Sequence, residues 1–235
     1  MIQAVMFDFN GVIINDEPLH QKAFREVLAA EGVGLTEEEY MTMLGMDDAT
    51  FVRTAFERAG VELTEEKMRA VIEREGATHR ATLEEAAELP LFPGVVTFVK
   101  ALARKYPLGL VSMAARAEIE YGIGRALLAP YFSAIVSAED VHACKPDPEC
   151  YLLALERLNR KRGEAAAQVI PLRPSECLVV EDSPPGILSA RGAGMRTLGV
   201  TNTVNDKALR EAGAEVVTGN LSDWTVDAVH HLYDK

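Results

Sequence analysis

At 235 residues and 48% hydrophobic content, the chain is long enough for one large domain or for a core domain carrying a smaller insert. Its 36 acidic and 24 basic residues give a net charge of −12, which disfavours long-range attraction to nucleic acid or an anionic membrane, so any phosphate must be held by local basic groups. Cys144, Cys150 and Cys177 lack the close paired spacing of a zinc site. With no signal peptide and no apolar run near the length of a membrane span, the expectation is a cytoplasmic protein with small buried thiols, a monomer or weak homodimer. The first apolar run, Ile2 to Phe7, ends in Asp8-Phe9-Asn10-Gly11-Val12. That pattern reads as a buried strand delivering a carboxylate to the mouth of a sheet. A helical pattern follows over 16–31, with Leu19, Ala23, Val27 and Leu28 on one face and Gly32 and Gly34 ending it. Three more helices are predicted at 36–44, 48–58 and 64–88, Thr36 and Thr64 serving as N-caps before runs of glutamate.

From Pro93 strand and helix alternate. Helices are predicted at 94–105, 115–128, 148–158, 184–193 and 206–212, and strands at 108–112, 134–137, 177–181, 196–200 and 215–217. The stretch from Asn159 to Pro174, with charged residues, an alanine run and two prolines, reads as a surface loop. Alternation of this kind implies an α/β fold, a doubly wound, Rossmann-like parallel sheet with helices on both faces. The all-helical block then reads as an inserted bundle: a core of residues 1–14 and 89–235, and a helical cap domain of residues 15–88.

Four of the strands end in polar groups of complementary type. Asp8 ends the first, Ser112 the second and Glu181-Asp182-Ser183 the fourth, while Lys145-Pro146 follows the third. Together they supply a carboxylate nucleophile, a hydroxyl donor, a cation and an acidic pair for a divalent metal, all at one sheet edge. On these motifs the chain resembles the haloacid dehalogenase superfamily over nearly its whole length. The resemblance is to the branch with a helical cap after the first motif, near the β-phosphoglucomutase and phosphoglycolate phosphatase relatives.

The resemblance implies that Asp8 attacks phosphorus to give an aspartyl-phosphate that water hydrolyses. It implies that the Ser112 hydroxyl binds a phosphoryl oxygen, with Met113 and its neighbours offering N–H groups at a helix start. Arg116 stands where relatives carry a basic or polar substrate contact. Lys145 stabilises transition-state charge. The expected cofactor is Mg²⁺, to be held by Asp8, the main-chain carbonyl of Asn10 and Asp182, with Glu181 acting through water or hydrogen bonds, or with the last two roles reversed. His20 lies in the segment that resembles the hinge to the cap, where some relatives contact the site through a histidine. The substrate that the resemblance implies is a small phosphorylated metabolite, of the sugar phosphate or phosphoglycolate type.

Asn10 departs from the pattern, because most phosphatases of the family have aspartate there as the acid and base. A neutral amide cannot transfer that proton, and loss of positioned acid–base catalysis costs about a hundredfold to ten-thousandfold. Good leaving groups, a proton carrier such as Asp16, Glu17 or water, or a slow enzyme that traps the phosphorylated state each fit the departure. A phosphomutase is the alternative activity, although the loop Gly45-Met46-Asp47-Asp48 is acidic where mutases carry a basic contact, leaving only Arg53 to substitute. A phosphate-binding protein with little turnover is the alternative outside enzymes.

Overall fold

The computed structural model describes residues 1–43, 46–165 and 170–233. Leu44 and Gly45, which the sequence reading places at the end of a cap helix and in the acidic loop, lie outside the described residues, as do four residues of the 159–174 stretch. Strand β1 (Ala4–Phe7) is followed by four helices, α1 (Glu17–Ala30), α2 (Glu37–Thr42), α3 (Asp48–Ala59) and α4 (Glu65–Glu85). Then come α5 (Val95–Ala103), β2 (Leu108–Val111), α6 (Arg116–Arg125), β3 (Phe132–Val136) and α7 (Glu149–Ala165). The chain continues through β4 (Cys177–Glu181), α8 (Pro184–Gly192), β5 (Arg196–Val200), α9 (Asp206–Glu211), β6 (Val216–Thr218) and α10 (Val226–Tyr233).

All six strands pair in parallel in the order β3-β2-β1-β4-β5-β6. Strands β1, β2 and β4 are buried at every residue, as strands covered on both faces must be. Along β1 the side chains alternate between two apolar layers. Ala4 and Met6 join Tyr151, Ala154 and Leu158 of α7, while Phe7 meets Phe98 of α5 edge-on with ring centroids 6.0 Å apart. Each large apolar side chain buried this way contributes about 1.5–3 kcal/mol. The strand order reverses between β1 and β4, and a crevice outside the carboxyl ends of the strands at such a point is where open α/β sheets bind ligands.

The chain forms two compact units, one of residues 1–15 with 90–235 and one of residues 16–89. In the first unit the two crossings into the insert are tied together. Ile14 bridges Leu91 in antiparallel sense, Asn15 N–H donates to the Pro90 carbonyl at 2.6 Å, and Phe92 N–H donates to the Ile13 carbonyl at 3.1 Å. The second unit has a core of its own, in which Phe24, Val27 and Leu28 of α1 meet Phe51, Val52 and Phe56 of α3 and Met68 and Val71 of α4. It also buries Asp16, Glu75 and His79. The His20 and His79 rings stack at 3.7 Å, with His20 Nδ1 2.9 Å from Glu75 Oε1 and His79 Nε2 3.4 Å from Asp16 Oδ2, so each buried acid faces an imidazole nitrogen.

Two elements differ from expectation. Helix α7 runs on to Ala165, through the polar string that reads as a loop. Leu155 and Leu158 hold its inner face against the sheet while the charged residues continue its solvent face, so a polar run marks exposure here and not irregularity. Helix α10 was not anticipated, although Val229 and Tyr233 recur at helical spacing and are buried.

Candidate active site

Asp8 leaves the end of β1 with its N–H on the Val180 carbonyl at 3.0 Å, which aligns the ends of β1 and β4. Gly11 then turns the chain at φ +77°, a conformation that favours glycine, and a Cβ there would lie 1.9 Å from Asp182 Oδ2. The tight turn therefore brings the backbone after Asp8 against the carboxylate of the next strand.

Lys145 joins the carboxylates. Its ammonium donates to Asp8 Oδ1 at 2.7 Å, to Glu181 Oε1 at 2.6 Å and to the Val111 carbonyl at 3.3 Å, with the Tyr151 ring centroid 5.2 Å away. Glu149 holds the preceding loop by accepting from the N–H groups of His142 and Ala143 at 3.0 and 2.8 Å. The Lys145-Pro146 peptide is cis. Glu181 Oε1 also accepts from the Tyr151 hydroxyl at 2.8 Å, and Oε2 accepts from the Asp182 N–H and the Ser183 hydroxyl, each at 3.1 Å. Asp182 Oδ2 accepts from the Thr203 hydroxyl, and Asn202 Nδ2 donates to the Gly11 carbonyl at 2.7 Å, so the loop after β5 braces both the turn and the acid.

Three buried carboxylates thus share one ammonium. Burial pushes the Asp8 carboxyl up to about 7 even though Lys145 opposes the shift, and burial with Glu181 and Asp8 nearby pushes Asp182 well above the carboxylate range. Burial alone would lower Lys145, but Asp8 and Glu181 hold it above its ordinary value. One donor oxygen from each of Asp8, Glu181 and Asp182 lies within 4.8 Å of the others, all of them buried. An all-oxygen set short of positive charge suits a hard divalent cation.

Ser112 sits at the end of β2 and donates to Asn10 Oδ1 at 3.1 Å. Ala114 N–H, one of the expected anion cradle, donates to the Ser112 oxygen at 3.0 Å, and Arg116 N–H donates to Glu139. Met113 packs its side chain against the core. The Arg116 guanidinium pairs with Asp140, with Glu120 3.6 Å away. His20 lies in the helical unit against Glu75 and Asp16. There too Glu17 accepts from the Tyr40 hydroxyl at 2.5 Å and is raised by burial.

Sequence reading missed Tyr151, Asn202, Thr203 and Glu118, whose Oε1 accepts from Asn10 Nδ2 at 3.2 Å. The first three have no signal in a single chain. Glu118 stands in a helix's first turn, where a glutamate is ordinary.

The family model of haloacid dehalogenase-like hydrolases matches residues 2–194. The chain belongs to that family. Among its relatives, the phosphorylated carbohydrates phosphatase of Thermotoga maritima is 32% identical over 91% of this chain and 92% of its own length. Fructose-1-phosphate phosphatase YqaB of Escherichia coli is 29% identical over 83% of this chain and 95% of its own. The crystal structure of β-phosphoglucomutase from Clostridium difficile superposes with a TM-score of 0.85 at 20% identity, covering 100% of this chain and 98% of that one, a likeness of fold. The chain is thus an enzyme of a hydrolase family that uses a divalent metal, and no helix among the described residues is long and apolar enough to cross a membrane.

Proposed function

We propose that the protein is a Mg²⁺-dependent phosphohydrolase of a small phosphorylated metabolite, sugar phosphate or phosphoglycolate in type, working through an aspartyl-phosphate on Asp8. The observation that carries the reading is the buried bond from Lys145 to both Asp8 and Glu181 beside Asp182, a nucleophile, a fixed cation and a second acid in one crevice. Relatives named as phosphatases of phosphorylated carbohydrates and of fructose 1-phosphate support the substrate class.

Both oxygens of Glu181 already receive donors, so Asp8 and Asp182 are the acids that would hold the ion, with Glu181 fixing Lys145. When bound, Mg²⁺ offsets the repulsion between an anionic Asp8 and a phosphate dianion. Asp8 attacks phosphorus, and Lys145 neutralises charge that builds on Asp8 and the transferring group. Ser112, fixed by Asn10 and Ala114, positions a phosphoryl oxygen. Asn10 itself moves no proton. The helical unit, residues 16–89, is the cap that selects the metabolite, and the setting is the cytoplasm. The mutase alternative needs a basic cap contact, but Arg53 is paired with Glu65 at 3.6 Å.

The test is a phosphate-release screen over sugar phosphates, phosphoglycolate and nucleotides, with Mg²⁺ or chelator, beside a chimera carrying a relative's helical unit. Acid-quenched protein is weighed by mass spectrometry for one added phosphoryl group. Metal-dependent release, an adduct absent from Asp8→Ala and a changed profile in the chimera are expected. Full activity in chelator would remove the metal, and an adduct that survives Asp8→Ala would remove the nucleophile.

A further inference from the structure

We infer that Asn202 and Thr203, neighbours on the turn after β5, are positioning residues that set how tightly this site takes its divalent ion; the inference rests on the metal-dependent reading above. Thr203 donates its hydroxyl to Asp182 Oδ2, and among the described residues it is the only group that donates to this carboxylate. A hydroxyl that ties down one oxygen leaves the other, Oδ1, with its lone pairs for a cation, and it keeps the carboxylate from turning. The glycine turn closes on the same pair, since a Cβ on Gly11 would lie 1.9 Å from Asp182 Oδ2 and 2.9 Å from Thr203 Oγ1. Backbone, acid and hydroxyl meet there without a gap.

Asn202 acts on another expected ligand, the main-chain carbonyl of Asn10. That carbonyl belongs to the peptide whose N–H is Gly11 N–H, which donates to the Ile14 carbonyl at 2.9 Å. In a planar trans peptide the carbonyl points opposite to the N–H, so this bond also aims the Asn10 oxygen. The next peptide is held by Asn202, whose Nδ2 donates to the Gly11 carbonyl at 2.7 Å. One turn therefore steadies a side-chain ligand through Thr203 and a main-chain ligand through Asn202.

The turn is itself anchored at both ends. Thr201 N–H donates to the Thr218 carbonyl at 3.0 Å, and Asn205 caps α9 by accepting from Ala208 N–H at 3.0 Å. Between these anchors Val204 packs against the apolar cluster of Ile187 and Leu209. Residues that orient metal ligands from behind in this way are worth about tenfold to a hundredfold in affinity. Lys145 and Ser112, which face the phosphoryl group, make their hydrogen bonds to other partners, so loosening the turn acts on the ion and leaves those two in place.

The test titrates Mg²⁺ into the chelator-stripped full chain without substrate, reading by calorimetry the rise of each variant's Tm above its own metal-free value. The same titration is then followed as phosphate release from fructose 1-phosphate. The variants are Thr203→Val, which keeps the shape and removes the hydroxyl, Thr203→Ser, which keeps the hydroxyl, and Asn202→Ala. Thr203→Val and Asn202→Ala are each expected to need about tenfold to a hundredfold more Mg²⁺ for a given rise in Tm and for half-maximal release, with most of the lost turnover recovered at saturating Mg²⁺. Thr203→Ser is expected to regain most of the affinity that Thr203→Val loses. Should Thr203→Val not fold, Asn202→Ala decides by the same shift. A wild-type Mg²⁺ requirement in Thr203→Val or Asn202→Ala, a Thr203→Ser as weak as Thr203→Val, or a loss of turnover that saturating Mg²⁺ does not restore would each overturn the inference while the wild-type chain still answers to Mg²⁺. A wild-type chain whose Tm and phosphate release both ignore Mg²⁺ would overturn the metal reading, and this inference with it.

Discussion

The carboxylate of Glu181 is ringed by Lys145 and Tyr151 on one oxygen and by Asp182 and Ser183 on the other, and Gly186 of α8 closes the remaining side. A Cβ on Gly186 would lie 1.9 Å from the Glu181 carboxyl carbon, and the carboxyl cannot swing away without dropping those bonds. Gly186→Ala is therefore expected to cost about 1–3 kcal/mol in urea unfolding and to displace Lys145, lowering kcat more than it raises KM. An unfolding midpoint unchanged from wild type would show that the carboxyl has room. Asp8, Ser112 and the Glu181-Asp182 pair were legible because each ends an apolar run, where a polar residue is conspicuous, and Lys145 because its Lys-Pro pair stands between the third strand and a helix. Glu118, Tyr151 and Thr203 were not, because their partners are 108, 30 and 21 positions away and only folding brings them together.

At the scale of elements, period and caps were the readable signals. Thr36 caps α2 through a reciprocal box in which its hydroxyl accepts from Glu39 N–H and the Glu39 carboxylate accepts from Thr36 N–H. With six residues, α2 has little else to hold its first turn, so Thr36→Ala is expected to cost about 1 kcal/mol. Thermal unfolding of the full chain measures it, and a loss no larger than that of an exposed control such as Lys207→Ala would refute it. Strand and helix alternation was legible because β strands buried on both faces read as short apolar runs. The far half of α7 was not, since a solvent-facing helix and a loop share the same polar composition. Asn159 closes that stretch by bonding both the N–H and the carbonyl of Leu172, a long-range contact that no periodicity foretells.

For the molecule as a whole, the acidic crevice ties folding to proton and metal. A carboxyl whose folded value exceeds its unfolded one binds a proton more readily when folded, so its stabilising contribution is present at low pH and is lost as pH rises between the two. For Asp8 that window runs from 3.8 to about 7, and Asp182 acts in the same direction. Lys145, raised above its usual value, keeps its contribution throughout this range. Metal-free protein is therefore expected to have a higher Tm at pH 5 than at pH 8, with Mg²⁺ raising it most at pH 8 and Asp182→Asn flattening both responses. Calorimetry with and without chelator decides this, and a Tm that climbs from pH 5 to pH 8 without metal would contradict it.

The ribbon that ties Ile13–Asn15 to Pro90–Phe92 means that the ends of the insert are spliced side by side within the sheet unit. Such a port works as a socket. Whatever is plugged in between Asn15 and Pro90 meets the same two antiparallel termini, and lengthening it adds only the slow logarithmic entropy of a larger loop. The register between Phe7 and Val180, which aligns Asp8 with the acids of β4, is set elsewhere and is left untouched. Relatives in such a lineage could therefore exchange or enlarge the insert while inheriting the same catalytic crevice. A protein engineer could close the socket with an Asn-Gly turn, turning the two crossings into the arms of a hairpin.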